Sequence, residues 1–143
     1  ETDHQYPVDH ITEGLVREKL AGFLGEQKQL PPIYSAKLIS GKRAYEFARK
    51  GIHKELDPVT VFFRVIELIS CDIPEIRVRI LCSKGTYIRS FARDLGIALN
   101  SGCYLSALER TSIGDLKLEQ SFDIEKFQEF VEQTRIAHVT SKT

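Results

Sequence analysis

Methionine is missing from all 143 residues, the initiator included, so the first residue reads as a cut edge and the chain as a piece of a longer one. No apolar run approaches membrane-spanning length, which leaves no candidate spanning helix. The acidic, polar start ETDHQYPVD lacks the charged-then-apolar layout of a signal peptide, so no export signal is read. Cysteine is scarce. Cys71, Cys82 and Cys103 are odd in number and show no CxxC spacing, which argues against a disulfide framework and against a structural zinc site. A reducing cytoplasm is the expected compartment. His4, His10, His53 and His138 share no metal-ligand spacing, and none stands near a Ser or Cys in a nucleophile pattern. They read as solvated or core-edge side chains, and no metal or cofactor is expected.

Net charge is also absent: Lys plus Arg number 20, and so do Asp plus Glu. The distribution is uneven, however, and for an anionic partner the local charge matters more than the total. Residues 37 to 54 carry Lys37, Lys42, Arg43, Arg49, Lys50 and Lys54 against Glu46 alone. Residues 77 to 93 carry five more cations and no acid, whereas residues 115 to 132 carry six acids against two lysines. With 42% hydrophobic and 28% charged residues, the length and composition are those of one folded domain with a real core.

Thr12 followed by EGLVREKLAGFLG has a cap, an early Glu, apolar positions at Val16, Leu20, Phe23 and Leu24, and Gly25 as a stop, which predicts a helix. QLPPIYSAKLISGKR, residues 29 to 43, is expected to be irregular because Pro31 and Pro32 remove donors and push the preceding residue into extended geometry. Residues 44 to 50 predict a short helix stopped by Gly51. VTVFFRVIELISC (59–71) and IRVRILC (76–82) predict an antiparallel strand pair joined by a turn around Asp72 to Pro74. Residues 87 to 99 place Ile88, Phe91, Ala92, Leu95, Ala98 and Leu99 on one helical face, with Asn100 and Gly102 ending it. YLSALERTSIG (104–114) is expected to be a strand. Asp123 is expected to cap a last helix with Ile124, Phe127 and Val131 turned inward.

Two segments carry candidate chemistry. SKGTYIRS (83–90) lies at a strand end and a helix start, where backbone N–H groups and the helix dipole favour an anion. It is not a P-loop, since no Gly stands five positions before a Gly-Lys-[Ser/Thr], and Gly41–Lys42 fails the same test. A basic turn on a solvated surface stands beside the anion-site reading. KLISGKRAYEFARKG (37–51) mixes Tyr45 and Phe47 with Lys and Arg, the mixture that RNA binders use for phosphate contact plus stacking. A solvated helix whose aromatics join the core stands beside that one. Cys82, next to Lys84, closes an inward alternation and reads as a buried, inert thiol.

PPIYSAKLISGKRAYEFARKG (31–51), CSKGTYIRSFARDLG (82–96) and LSALERTSIGD (105–115), in that order and at those gaps, resemble the TruB-type tRNA pseudouridine synthases. The resemblance implies an α+β fold, a mixed and mostly antiparallel sheet with packed helices. It implies an isomerase that converts a uridine in the T-loop of tRNA to pseudouridine without metal or organic cofactor. In that family an aspartate does the covalent or acid/base work on a uridine flipped out of the RNA. By motif position, Tyr87 matches the tyrosine that packs on the flipped base and Arg89 the arginine that pairs with the catalytic aspartate. Such an arginine keeps a carboxylate ionised and oriented. Leu108 matches the apolar residue against the base, and Lys84, Tyr34, Lys42, Arg43 and Arg49 are the further substrate-binding candidates.

The family's aspartate lies in a Leu-Asp-Pro stretch upstream of the point at which this chain begins. Leu56–Asp57–Pro58 repeats those letters but is followed by VTVFFRV with no glycine, so Asp57 reads as a strand-entry residue rather than the nucleophile. Lys37 is shifted by one from the family's usual lysine, and Glu109 stands where a second arginine is frequent. Neither the upstream segment nor the family's C-terminal PUA domain is found in residues 1–143. The expectation is a partial catalytic domain, inactive alone, with tRNA (T-stem and loop) as partner, no membrane, and the upstream part of the same protein as partner for an exposed sheet edge. The alternative is a non-catalytic RNA-binding module on the same scaffold.

Overall fold

The computed structural model describes residues 4–32, 38–39, 42–43 and 57–140. Contacts divide the chain into two units, residues 1–106 and 107–143.

In the first unit, Thr12 caps helix α1 (Glu13–Ala21): its Oγ1 accepts the Leu15 N–H at 3.2 Å. Val16 and Leu20, four residues apart, are the buried face. The helix is one turn shorter than its sequence predicts. Gly25, at φ 87°, starts strand β1 (Gly25–Gln29) instead of stopping a helix. The sequence GEQKQ has no apolar residue to alternate, so nothing local marks it as a strand. Its ladder with β4 (Val59–Asp72) makes it one, in the register Gly25↔Phe63 to Gln29↔Val59. The region expected to be irregular from residue 29 also holds two short paired strands, β2 (Leu38–Ile39) and β3 (Lys42–Arg43). The helix expected at 44–50 lies outside the described residues.

β4 and β5 (Glu75–Cys82) form the predicted antiparallel pair, giving a sheet of order β1-β4-β5. Register shifts fall between Phe63 and Val65 and between Leu68 and Ser70. They re-phase the strand, so that Val61 and Phe63, then Ile66 and Leu68, then Cys71 all join the core although their spacing is not strictly two. Helix α2 (Ile88–Ala98) covers the same core with Phe91 and Leu95, and Leu99 just beyond it completes the cluster. The Phe91 ring lies 5.2 Å from Phe23 and 5.4 Å from Phe63, tying the turn after α1, helix α2 and strand β4 to one point.

Asn100, at φ 51°, ends α2 as expected. The N-terminal segment is held there: His10 Nε2–H donates to the Leu99 carbonyl at 2.8 Å and Ser101 Oγ to the Pro7 carbonyl at 2.9 Å. A Cβ at Gly96 would lie 2.5 Å from the Cys103 nitrogen, so the chain can double back only over a glycine. Helices on one face of an antiparallel sheet make the fold α+β, as the sequence implies.

The second unit holds the strand pair β6 (Ser112–Ile113) and β7 (Leu116–Lys117), a 3₁₀ turn at Leu118–Gln120, and helix α3 (Ile124–Thr140). The strand expected over 104–114 shrinks to β6, because only those two residues find a ladder partner. Asp123 caps α3 as predicted, its Oδ1 accepting the Lys126 N–H at 2.7 Å. Ile124, Phe127 and Val131 are not turned inward: they stay 46–79% exposed. A two-residue hairpin offers too little surface to cover a helical stripe. Among the described residues, no helix is long and apolar enough to cross a membrane.

Phe91 is only 3% exposed and touches two other rings, so Phe91→Ala leaves a cavity at the junction of the layers. Its expected cost is about 3–5 kcal/mol of unfolding free energy, read from the urea midpoint at unchanged slope. A loss under about 1 kcal/mol would contradict this packing.

Candidate active site

The turn between β5 and α2 is built from the backbone outward. Ser83 extends the β4–β5 ladder: its N–H donates to the Phe62 carbonyl at 2.8 Å, and its Oγ accepts the Phe62 N–H at 2.9 Å. Thr86 closes the turn by donating from Oγ1 to the Ser83 carbonyl at 2.8 Å. Gly85 between them sits at φ 82°, a left-handed conformation that costs a side-chain-bearing residue. Lys84 is thereby held at the exposed tip.

Tyr87 is the N-cap of α2, with φ −98° and ψ 105° and no side-chain cap of its own. The cap comes from elsewhere. Gln29, at the end of β1, accepts the Tyr87 N–H on Oε1 at 2.8 Å and donates from Nε2 to the Tyr87 carbonyl at 3.0 Å. That carbonyl also accepts the first helical bond, from Phe91 N–H at 3.0 Å. One residue after Gln29 and three after Tyr87, Ser90 Oγ donates to the Leu30 carbonyl at 2.7 Å, and Arg93 Nη2 reaches the same oxygen at 3.3 Å. The Tyr87 N–H, which the sequence offered to an anion, is thus taken by a glutamine.

Tyr87 is half-buried and Arg89 exposed in the first turn of the helix. Residues two apart on a helix do not face each other. Tyr87 precedes the helix in extended geometry, so that rule does not fix its ring relative to Arg89. The other candidates belong to other segments of the chain. Lys42 and Arg43 form β3 and pair with Ile39 and Leu38. Tyr34 and Arg49 lie outside the described residues. Leu108, 64% exposed, belongs to the second unit. Asp57 stands two residues before β4, the strand-entry position expected of it. Cys71 is half-buried against the core, and burial, then the Glu13 and Asp72 carboxylates, push its thiol up, away from a nucleophilic thiolate.

The described family of domains called TruB family pseudouridylate synthase (N terminal domain) matches residues 1–88, more than half of the chain and up to the start of this helix. The chain belongs to the TruB family. Among curated TruB relatives, the tRNA pseudouridine synthase B of Phocaeicola vulgatus is 49% identical over 142 residues, which is 99% of this chain and 60% of the relative. That of Bacteroides fragilis is 51% identical over 133 residues, 93% of this chain and 57% of the relative. The chain therefore spans about 60% of the length of the curated relatives it matches. A chain in a crystal structure of a Cbf5-Nop10-Gar1 complex shares the fold, with a TM-score of 0.61 and 25% identity over 80% of this chain and 29% of that one.

The segment 82–96, whose sequence resembles the TruB family, thus coincides with a joint held by hydrogen bonds from Gln29 and Ser90. Sequence reasoning passed over Gln29, because a polar residue in a strand with no apolar partner gives no periodic signal. Gly85→Ala is expected to lower stability by about 1–2 kcal/mol, and Gly85→Asn by less, because asparagine tolerates the left-handed region. Urea unfolding of the three proteins checks the order, and equal losses for Ala and Asn would contradict it.

Proposed function

We propose that this TruB-family protein is a tRNA pseudouridine synthase, an isomerase acting on a uridine in the T-loop of tRNA in the cytoplasm. The observation that carries the reading is the 49% identity, along 99% of the chain, to a relative named tRNA pseudouridine synthase B. In the reaction the bond from N1 of the base to ribose C1′ breaks, the base turns, and a bond from C5 to C1′ replaces it. The C5 hydrogen leaves as a proton and N1 gains one, so the balance needs no oxidant or reductant.

On this reading residues 1–143 are the later part of the catalytic domain, and the catalytic carboxylate is supplied by residues outside them. Tyr87 and Arg89 are the catalytic pair. The uridine is flipped out to lie against Tyr87, and Leu108 lies against the same base. Arg89 holds the carboxylate ionised and in one orientation through a two-pronged contact. Lys84, Lys42, Arg43 and Arg49 meet phosphates of the T-stem and loop, with Tyr34 beside them. The restrained Tyr87 backbone supports this reading, since a ring that must meet a flipped base benefits from a fixed origin.

The test is tritium release from tRNA labelled at uridine C5, run on the full-length protein. Release is expected, and a folded, tRNA-binding sample that releases none leaves the non-catalytic RNA-binding module instead. Tyr87→Phe is expected to lower kcat on the order of 100-fold with tRNA binding nearly intact. Lys84→Ala is expected to reduce the salt slope of tRNA affinity by about 1, measured by filter binding across a range of salt concentrations.

A further inference from the structure

We infer that Gln29 is a positioning residue for the isomerisation, acting through Tyr87. The inference rests on the proposed function and goes beyond it by assigning a role to a side chain that touches neither base nor phosphate.

Among the described residues, the buried polar side chains are Gln29 and Ser90, at 3% and 2% exposure. Both are used at the same joint. Burying an amide or a hydroxyl is unfavourable unless its hydrogen bonds are made, and an apolar residue of similar volume would fill a core position more cheaply. Here the polar atoms are matched one to one with the backbone of the site turn. The Gln29 amide presents its oxygen to the Tyr87 N–H and its nitrogen to the Tyr87 carbonyl, the one amide orientation that satisfies a donor and an acceptor of the same residue. Ser90 Oγ, bonded to the Leu30 carbonyl, stitches the residue just after the strand to the helix.

The sequence distance matters too. Gln29 and Tyr87 are 58 residues apart, so the clamp carries long-range information that the turn cannot generate locally. The turn itself fixes Lys84 to Thr86 through Ser83 and Gly85. Nothing in it fixes the peptide planes on either side of Tyr87, whose φ and ψ are those of extended chain at the mouth of a helix. Two hydrogen bonds from one planar group lock both planes together. The direction in which the Cα–Cβ bond of Tyr87 leaves the backbone is then set by Gln29. Gln29 is in turn set by its place opposite Val59 on the central strand of the sheet.

The test is a double-mutant cycle on the full-length protein with Gln29→Met and Tyr87→Phe, using tritium release for chemistry and filter binding for tRNA. Methionine keeps the length and removes both hydrogen bonds. Gln29→Met is expected to lower kcat by about 10-fold to 100-fold with KM and tRNA affinity nearly unchanged. In the double variant the losses are expected to be strongly less than multiplicative, since a mispositioned Tyr87 has less left to lose. Assays are run well below each variant's thermal midpoint. If Gln29→Met does not fold, Gln29→Asn, one methylene shorter with the amide kept, takes its place in the cycle. Fully multiplicative losses, or a loss in tRNA affinity with kcat unchanged, overturn the role of Gln29 and leave the proposed function standing. An unchanged kcat in Tyr87→Phe alone overturns the role of Gln29, while the release itself leaves the proposed function standing. No release from the unmutated, folded, tRNA-binding protein overturns both.

Discussion

A single planar amide joins the end of one strand to the start of one helix, and the geometry of the candidate site follows from that joint. Gln29 reads both backbone groups of Tyr87, 58 residues away, at 2.8 and 3.0 Å. Without it the turn from Ser83 to Thr86 would still close on its own hydrogen bonds. The peptide planes flanking Tyr87 would then be held only by the first turn of the helix, where N–H groups lack intrahelical partners. A helix start that borrows its cap from a distant strand depends on the tertiary fold to be well formed, which couples the order of the site to the integrity of the sheet.

The layers beneath are arranged to keep that joint still. Phe91, one turn after Tyr87 in α2, is seated between Phe23 and Phe63. Leu95 and Leu99 continue the same stripe against Val16 and Leu20. The register shifts in β4 let a 14-residue strand return Val61, Phe63, Ile66, Leu68 and Cys71 to the helix side even where the alternation slips. The helix is thus fixed by apolar burial along its length, while its first residue is fixed by polar bonds. The first kind of contact is strong and undirected, and the second is modest in net energy but directional.

What was legible in the sequence follows the same division. The β4–β5 pair, α2 and the caps at Thr12 and Asp123 were readable because apolar periodicity and capping chemistry are local properties. β1 was not: GEQKQ has no apolar residue, and only its ladder to β4 makes it a strand. The end of α1 was misplaced because Gly25 signals a left-handed residue in either context, a helix stop or a strand start. Ile124, Phe127 and Val131 have helical spacing, but spacing does not supply a surface to bury them. Tyr87, Arg89 and Lys84 were singled out through their motif, and Gln29 was invisible because its hydrogen bonds to Tyr87 exist only once the two segments meet.

Membership of the TruB family and the stitched turn together support a reading in which Tyr87 and Arg89 form one wall of a uridine pocket, whose carboxylate comes from residues outside 1–143. The most direct measurement is a crystal structure of the full-length protein bound to a T-arm RNA hairpin carrying 5-fluorouridine at the target position. The account predicts the flipped base against the Tyr87 ring, the Arg89 guanidinium on an aspartate carboxylate, and the Gln29 amide still bridging the Tyr87 backbone. A base seated away from Tyr87, with Arg89 directed only at RNA phosphate, would contradict it.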